Sequence, residues 1–299
     1  MAILLDEKTT VLVQGITGRE GSARARFMLD YGTKVMAGVT PGRGGTDVYG
    51  IPVYNTIQEA QREHGPIDAS VVFVPGLQVK SAVLEAISAG VKLIVMPVER
   101  VPLHDTLEML AHARRKSVQV IGPGSLGVVS PEKAIAGWIG GTEEMTREIF
   151  MSGPVGVISR SGGQTTTLCW SLKQSKLGVS TAIHVGAEPI VGTAPAEVLP
   201  LFEKDEQTKA VVMFGEIGTV AEEEAAEVIK EGRYTKPLVI YIAGATAREG
   251  MRFSHASAII ERGRGSAQSK ITALESVGAT VVGKPQELAT EAARILEVN

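Results

Sequence analysis

The sequence predicts an α/β protein built from two successive parallel sheets, each with helices on both faces. Three observations carry this: apolar β-branched runs without polar alternation, helical apolar spacing between them, and glycine-rich turns where the runs end. At 299 residues the chain has room for two domains of ordinary size. The first series of runs lies at residues 10–13, 34–39, 70–74, 93–96 and 118–121, with helical spacing at 81–89 and 107–116. After Ile121 the pattern breaks into Gly122-Pro123-Gly124-Ser125-Leu126-Gly127, and residues 125–153 read as an irregular linker with functional loops. A second series follows at 155–159, 179–183, 210–214 and 238–242, with helical spacing at 164–176, 220–230, 267–277 and 285–296. The expected organisation is a first domain over 1–124, the linker, and a second domain over 154–299.

Charge and cysteine usage narrow the function classes. Thirty basic against 33 acidic residues give a net charge of −3 with no long single-sign run, which argues against nucleic-acid or membrane-surface binding driven by bulk charge. Cys169 is the single cysteine, so neither an internal disulfide nor a multi-cysteine metal site is expected. The apolar start Met1-Ala2-Ile3-Leu4-Leu5 is stopped by Asp6-Glu7-Lys8, and no apolar run approaches the roughly 20 residues of a membrane span. A cytoplasmic protein is the expectation.

The loops after the strands carry the chemistry. The first strand runs into Gln14-Gly15-Ile16-Thr17-Gly18-Arg19-Glu20-Gly21, a G-x-x-G-x-x-G turn that opens a helix and suits a phosphate, as in Rossmann-like domains. Its spacing departs from the dinucleotide G-x-G-x-x-G pattern. Where a dinucleotide enzyme places an acid for ribose, this chain has Thr40-Pro41-Gly42-Arg43-Gly44-Gly45-Thr46, and Arg43 there suits a ligand with phosphate near its ribose, as in coenzyme A. The second series has the parallel pattern of a flavodoxin-like domain. Its first run leads into Ser159-Arg160-Ser161-Gly162-Gly163, suited to phosphate or carboxylate, and its third into Gly215-Glu216-Ile217-Gly218, which puts a carboxylate at a strand end. His255 stands among small residues, Phe253-Ser254-His255-Ala256-Ser257, where a phosphoryl donor has room to approach. Glu216 is the candidate to hold one nitrogen of that ring and leave the other nucleophilic.

These loops, in this order and over nearly the whole chain, resemble the family of succinyl-CoA synthetase α subunits and related NDP-forming acyl-CoA ligases. The resemblance implies that Thr17, Gly18, Arg19, Glu20, Arg43 and Glu99 help hold CoA. It implies that His255 is phosphorylated in turnover with Glu216 beside it, that Ser161 and Gly162 open a phosphate-binding helix, and that Thr166 lies at the carboxylic acid substrate. It further implies a partner β subunit with an ATP-grasp domain, holding ATP or GTP with Mg²⁺. The sequence contains no Walker A pattern, which fits a nucleotide site in another polypeptide.

Departures from the family pattern bear on the acid. Relatives read G-P-N-C-P-G where this chain has Gly122-Pro123-Gly124-Ser125-Leu126-Gly127, and S-G-T-L-T-Y-E over residues 161–167, so the family's tyrosine is Thr166. Ser254 and Ser257 replace both glycines of the G-H-A-G-A histidine loop, and His184 falls in another altered loop, where an ordinary structural role is the expectation and a substrate contact the alternative. The expectation is retained phosphohistidine chemistry on succinate or a more polar acid such as malate or citrate. Two alternatives explain less of the chain. A non-catalytic CoA-binding module needs only the first domain, and an NAD-dependent oxidoreductase leaves the Glu216 and His255 loops unexplained.

Overall fold

The computed structural model describes residues 3–245, 255 and 265–297. The chain begins with β1 (Thr10–Gln14), α1 (Arg19–Tyr31), β2 (Lys34–Val39), β3 (Asp47–Val48), β4 (Ile51–Tyr54) and α2 (Ile57–His64). It continues through β5 (Ala69–Val72), α3 (Val79–Ser88), β6 (Leu93–Val95), α4 (Leu103–Arg115) and β7 (Gln119–Ile121). The first sheet has the order β3-β4-β2-β1-β5-β6-β7, and every pairing except β3 with β4 is parallel. Counting the parallel strands alone gives 3-2-1-4-5-6, the Rossmann-like order, with the direction of winding reversing between β1 and β5.

The second half comprises β8 (Gly127–Ser130), β9 (Ala134–Gly137), α5 (Glu143–Ile149), β10 (Ser152–Ser159), α6 (Gly162–Gln174), β11 (Val179–His184) and α7 (Pro195–Lys204). It closes with β12 (Ala210–Glu216), α8 (Ala221–Lys230), β13 (Leu238–Ala243), α9 (Ala267–Ser276), β14 (Thr280–Val282) and α10 (Glu287–Glu297). The sheet order is β14-β13-β12-β10-β11-β8-β9. Strands β10 to β14 pair in parallel in the flavodoxin-like order 2-1-3-4-5, reversing between β10 and β12. All residues of β11 and β12 are buried, as expected for strands covered on both faces.

Residues 125–153 differ from the irregular linker expected of them. β8 and β9 form an antiparallel hairpin that extends the second sheet through β11, and α5 follows. Glycine-rich composition disguises the hairpin: Gly127 and Gly137 face each other at positive φ, 111° and 118°, and a Cβ on either would strike the opposing backbone. The hairpin also packs on α1 of the first half. Thr33, just beyond α1, bonds Ile135 through both its hydroxyl donor (2.8 Å) and acceptor (2.9 Å), and the Arg24 guanidinium lies 4.0 Å from the Trp138 ring centroid.

One interior ion pair ties the end of β12 to the helices behind it. Lys270 of α9 is fully buried and bonds Glu222, also buried, together with Glu223 at 3.0 Å. Glu222 Oε1 in turn accepts the Glu216 N–H at 3.3 Å. Removing one partner of such a pair strands a buried charge, so Lys270→Met should cost about 3–5 kcal/mol in urea denaturation. The Lys270→Met/Glu222→Gln double variant, with no lone charge at residue 222, should recover part of that loss.

Candidate functional site

Each sheet presents a site at the crevice where its winding reverses. In the first, the ends of β1, β2 and β5 enclose a cleft of about 390 Å³. Its walls include Gly15, Thr17 and Gly18 after β1, Thr40 after β2, and Phe73 and Val74 after β5. The Thr17 and Thr40 hydroxyls lie 3.2 Å apart across it. Gly18 leads into α1, whose first turn carries the exposed Arg19 and Glu20. Asn55 Oδ1 accepts the N–H groups of Gly42 (2.9 Å) and Gly44 (3.1 Å), pinning the loop that presents the exposed Arg43. An apolar slot beside a helix N-terminus, with a guanidinium on a pinned loop after β2, suits a ligand that joins apolar and phosphate groups.

The second site lies between the ends of β10 and β12. Glu216 closes β12, and its Oε2 is 2.7 Å from His255 Nδ1. Its other oxygen faces Arg160, which follows β10, at 3.3 Å from Nη2 and 3.4 Å from Nε. Arg160 is 1% and Glu216 5% exposed, whereas His255 is partly open. The Glu216 hydrogen bond is the main cause that raises the His255 pKa above the ordinary 6.5, against burial and the nearby Arg160 charge. With Nδ1–H donated to Glu216, the Nε2 lone pair is left to act as a nucleophile. Ser254 and Ser257 lie outside the described residues.

The start of α6 adjoins this pair. Ser161 is the N-cap residue, yet among the described residues it makes no side-chain cap bond, unlike Thr56, Thr142 and Ser266 at α2, α5 and α9. Its N–H donates to Ser159 Oγ at 3.0 Å, and that hydroxyl donates to the Ser161 carbonyl at 2.8 Å. A Cβ on Gly162 would come within 2.5 Å of Leu126 Cδ1, whereas one on Gly163 would meet open space. Thr166 lies three residues beyond Gly163 on α6, partly exposed. Glu99, from the first half, is grouped with this second site: it lies beside Gly124, and its charge acts on His255.

Two further residues complete the surroundings of this site. His184 is spent on structure: Nδ1 accepts the Leu126 N–H at 2.8 Å, so Nε2 carries the proton toward the Arg160 carbonyl at 3.2 Å. Burial pulls its pKa down to about 4, which keeps the ring neutral. Arg160 received no role from the sequence. Its one visible signal is an arginine between two serines at a strand end, and only the strand order shows that it meets Glu216.

Comparison with known proteins accords with both sites. The family model described as CoA binding domain matches residues 6–99, and that described as CoA-ligase matches residues 158–280. The protein is thus a CoA ligase chain that binds CoA in its first half. The succinate–CoA ligase [ADP-forming] subunit alpha 2 of Archaeoglobus fulgidus is 49% identical over 99% of this chain and 100% of its own length. An ADP-forming sulfoacetate-CoA ligase subunit of Acholeplasma sp is 44% identical over 96% of each chain. The chain belongs to the family of ADP-forming CoA ligase α subunits, and that membership implies a β-subunit partner. In fold it matches ATP citrate lyase from Methanothrix soehngenii, with a TM-score of 0.90 at 24% identity, covering 99% of this chain and about half (51%) of that one. Among the described residues no helix is long and apolar enough to cross a membrane.

Gly162→Ala should cost about 1–3 kcal/mol through its collision with Leu126. Gly163→Ala should be neutral or stabilising by up to about 1 kcal/mol, and urea midpoints separate the two. His184 makes stability depend on pH in a defined direction. Its folded pKa lies below 6.5, so as pH falls from 6.5 toward about 4 the unfolded chain takes up a proton that the folded chain does not. Stability should fall over that window by up to roughly 1.4 kcal/mol per unit. The slope should flatten in His184→Gln, measured by urea denaturation at stepped pH.

Proposed function

We propose that His255 is the phosphoryl carrier of a carboxylate–CoA ligase in which this α chain works with an ATP-grasp β subunit. The observation that carries the reading is the 2.7 Å contact between His255 Nδ1 and Glu216 at the winding reversal of the second sheet. In the first step Nε2 attacks the γ-phosphorus of ATP or GTP held with Mg²⁺ by the partner. The N–P bond forms as the bond to the β-phosphate oxygen breaks, and NDP departs. A substrate carboxylate then takes the phosphoryl group from Nε2, and the CoA thiolate displaces phosphate from the acyl phosphate. The start of α6 at Ser161 and Gly162 receives the dianionic group, and Thr166 borders the acid. Thr17, Gly18, Arg19, Glu20 and Arg43 hold CoA at the first cleft, and Glu99 reaches the same ligand from beside the second site.

The acid in this reading is short and carries a second anion, a carboxylate or a sulfonate. Relatives named for succinate and for sulfoacetate, at 49% and 44% identity, share that description. Malate and citrate are the more polar alternatives suggested by the altered loops.

Assembled with its β partner and given γ-labelled ATP and Mg²⁺, the chain should acquire an acid-labile, base-stable label. His255→Ala should abolish the label and leave CoA affinity within about twofold, because the cleft is built from other elements. Glu216→Gln should slow labelling by about 10- to 100-fold. Undiminished label in His255→Ala would overturn the reading, and CoA-dependent NTP cleavage with succinate, sulfoacetate, malate and citrate ranks the acids.

A further inference from the structure

We infer that Arg160 is a positioning residue: by holding Oε1 of Glu216, it keeps that carboxylate charged and oriented so that a neutral His255 can donate Nδ1–H to Oε2. The inference rests on the reading of His255 as nucleophile and adds the residue that makes such a nucleophile tenable beside a buried anion.

A carboxylate as buried as Glu216 needs a compensating cation. Arg160 supplies one, in a planar fork suited to a carboxylate. Were it absent, the imidazole, 2.7 Å from Oε2, would be drawn to supply positive charge as imidazolium. A ring protonated on both nitrogens has no lone pair for phosphorus. The guanidinium therefore separates two demands on Glu216, ionisation and acceptance of a hydrogen bond, that His255 alone could meet only by losing its nucleophile.

Arg160 is held independently of His255. Its N–H donates to the Phe214 carbonyl at 3.0 Å, its own carbonyl faces His184 Nε2 at 3.2 Å, and its Nη2 donates to the Glu188 carbonyl at 3.2 Å. Backbone and side chain are thus fixed from β12, from the end of β11 and from the loop beyond it. Among the described residues, the charged and titratable groups that act on His255 come from four elements: Glu216 from β12, Arg160 after β10, His184 from β11 and Glu99 after β6. His184 is neutral and Glu99 is exposed, which leaves Arg160 and Glu216 as the opposing buried charges.

Two pH profiles on the α chain assembled with its β partner test this. One is the single-turnover labelling rate. The other is the rate at which diethyl pyrocarbonate acylates His255, followed on its peptide by mass spectrometry, which reports the neutral ring whether or not it carries phosphate. Arg160→Met should move the acid limb of both profiles up by about one pH unit, and Glu216→Gln should move it down. Arg160→Lys should shift it up by a smaller amount. In a Glu216→Gln background, Arg160→Met should shift the limb by much less than it does alone, because the arginine acts mainly through the carboxylate and only weakly on the ring directly. If Arg160→Met alone does not fold, the Lys variant and the double variant, which strands no lone buried charge, decide the matter.

Acid limbs that coincide with wild type in the Arg160 variants would overturn the inference. So would a shift from Arg160→Met that persists undiminished without Glu216. Absence of label in the wild type, with the acylation limbs moving as described, would instead overturn the phosphoryl-carrier reading and leave the role of Arg160 standing.

Discussion

The second site depends on one buried carboxylate with its two oxygens committed to different partners. Glu216 faces Arg160 with Oε1 and His255 with Oε2, while its backbone N–H is taken by Glu222. Such a group is stable only where the surrounding strands deliver every partner at once. The adjacency of β10 and β12 does this, because Arg160 and Glu216 leave neighbouring strands on the same edge. The buried Lys270 reaches the same cluster from α9 and compensates Glu222. An anion, a permanent cation and a titratable ring are thereby placed within one crevice before any substrate arrives.

The two halves are joined by a short, heavily bonded segment. Gly122 donates to the Val185 carbonyl (3.2 Å) and accepts from Gly192 (2.9 Å), while Gly124 donates to Val98 (3.0 Å) and accepts from Ala187 (3.3 Å). Ser125 spends its hydroxyl on the His184 carbonyl and the Gly127 N–H. This backbone stitching brings Glu99, from the first half, beside the chemistry of the second.

Much of this was legible in the sequence. Unalternating apolar runs marked the parallel strands, since residues covered on both faces cannot tolerate polar alternation. Strand-end placement singled out Glu216, because ligands in such folds gather at the carboxyl ends of strands. Three features were not legible. The β8–β9 hairpin is written in glycines that pass for a loop, yet its backbones cross too closely for side chains. The role of Arg160 depends on which strands become neighbours, a long-range property that local spacing does not encode. The partners of His184 were hidden too, because nothing local shows that Leu126 and the Arg160 backbone occupy both its nitrogens.

The hairpin bears on how separable the halves are. A chain cut before β8 would expose the side of α1 that Thr33 and its neighbours press against β9. A chain begun there would bare the matching face of the hairpin. The molecule therefore has two sheets but one folding unit, and its CoA-binding half borrows part of its outer wall from the other half. Partition of the sequence by sheet order alone would yield fragments that each lack a surface, so autonomy belongs to the pair and not to either sheet.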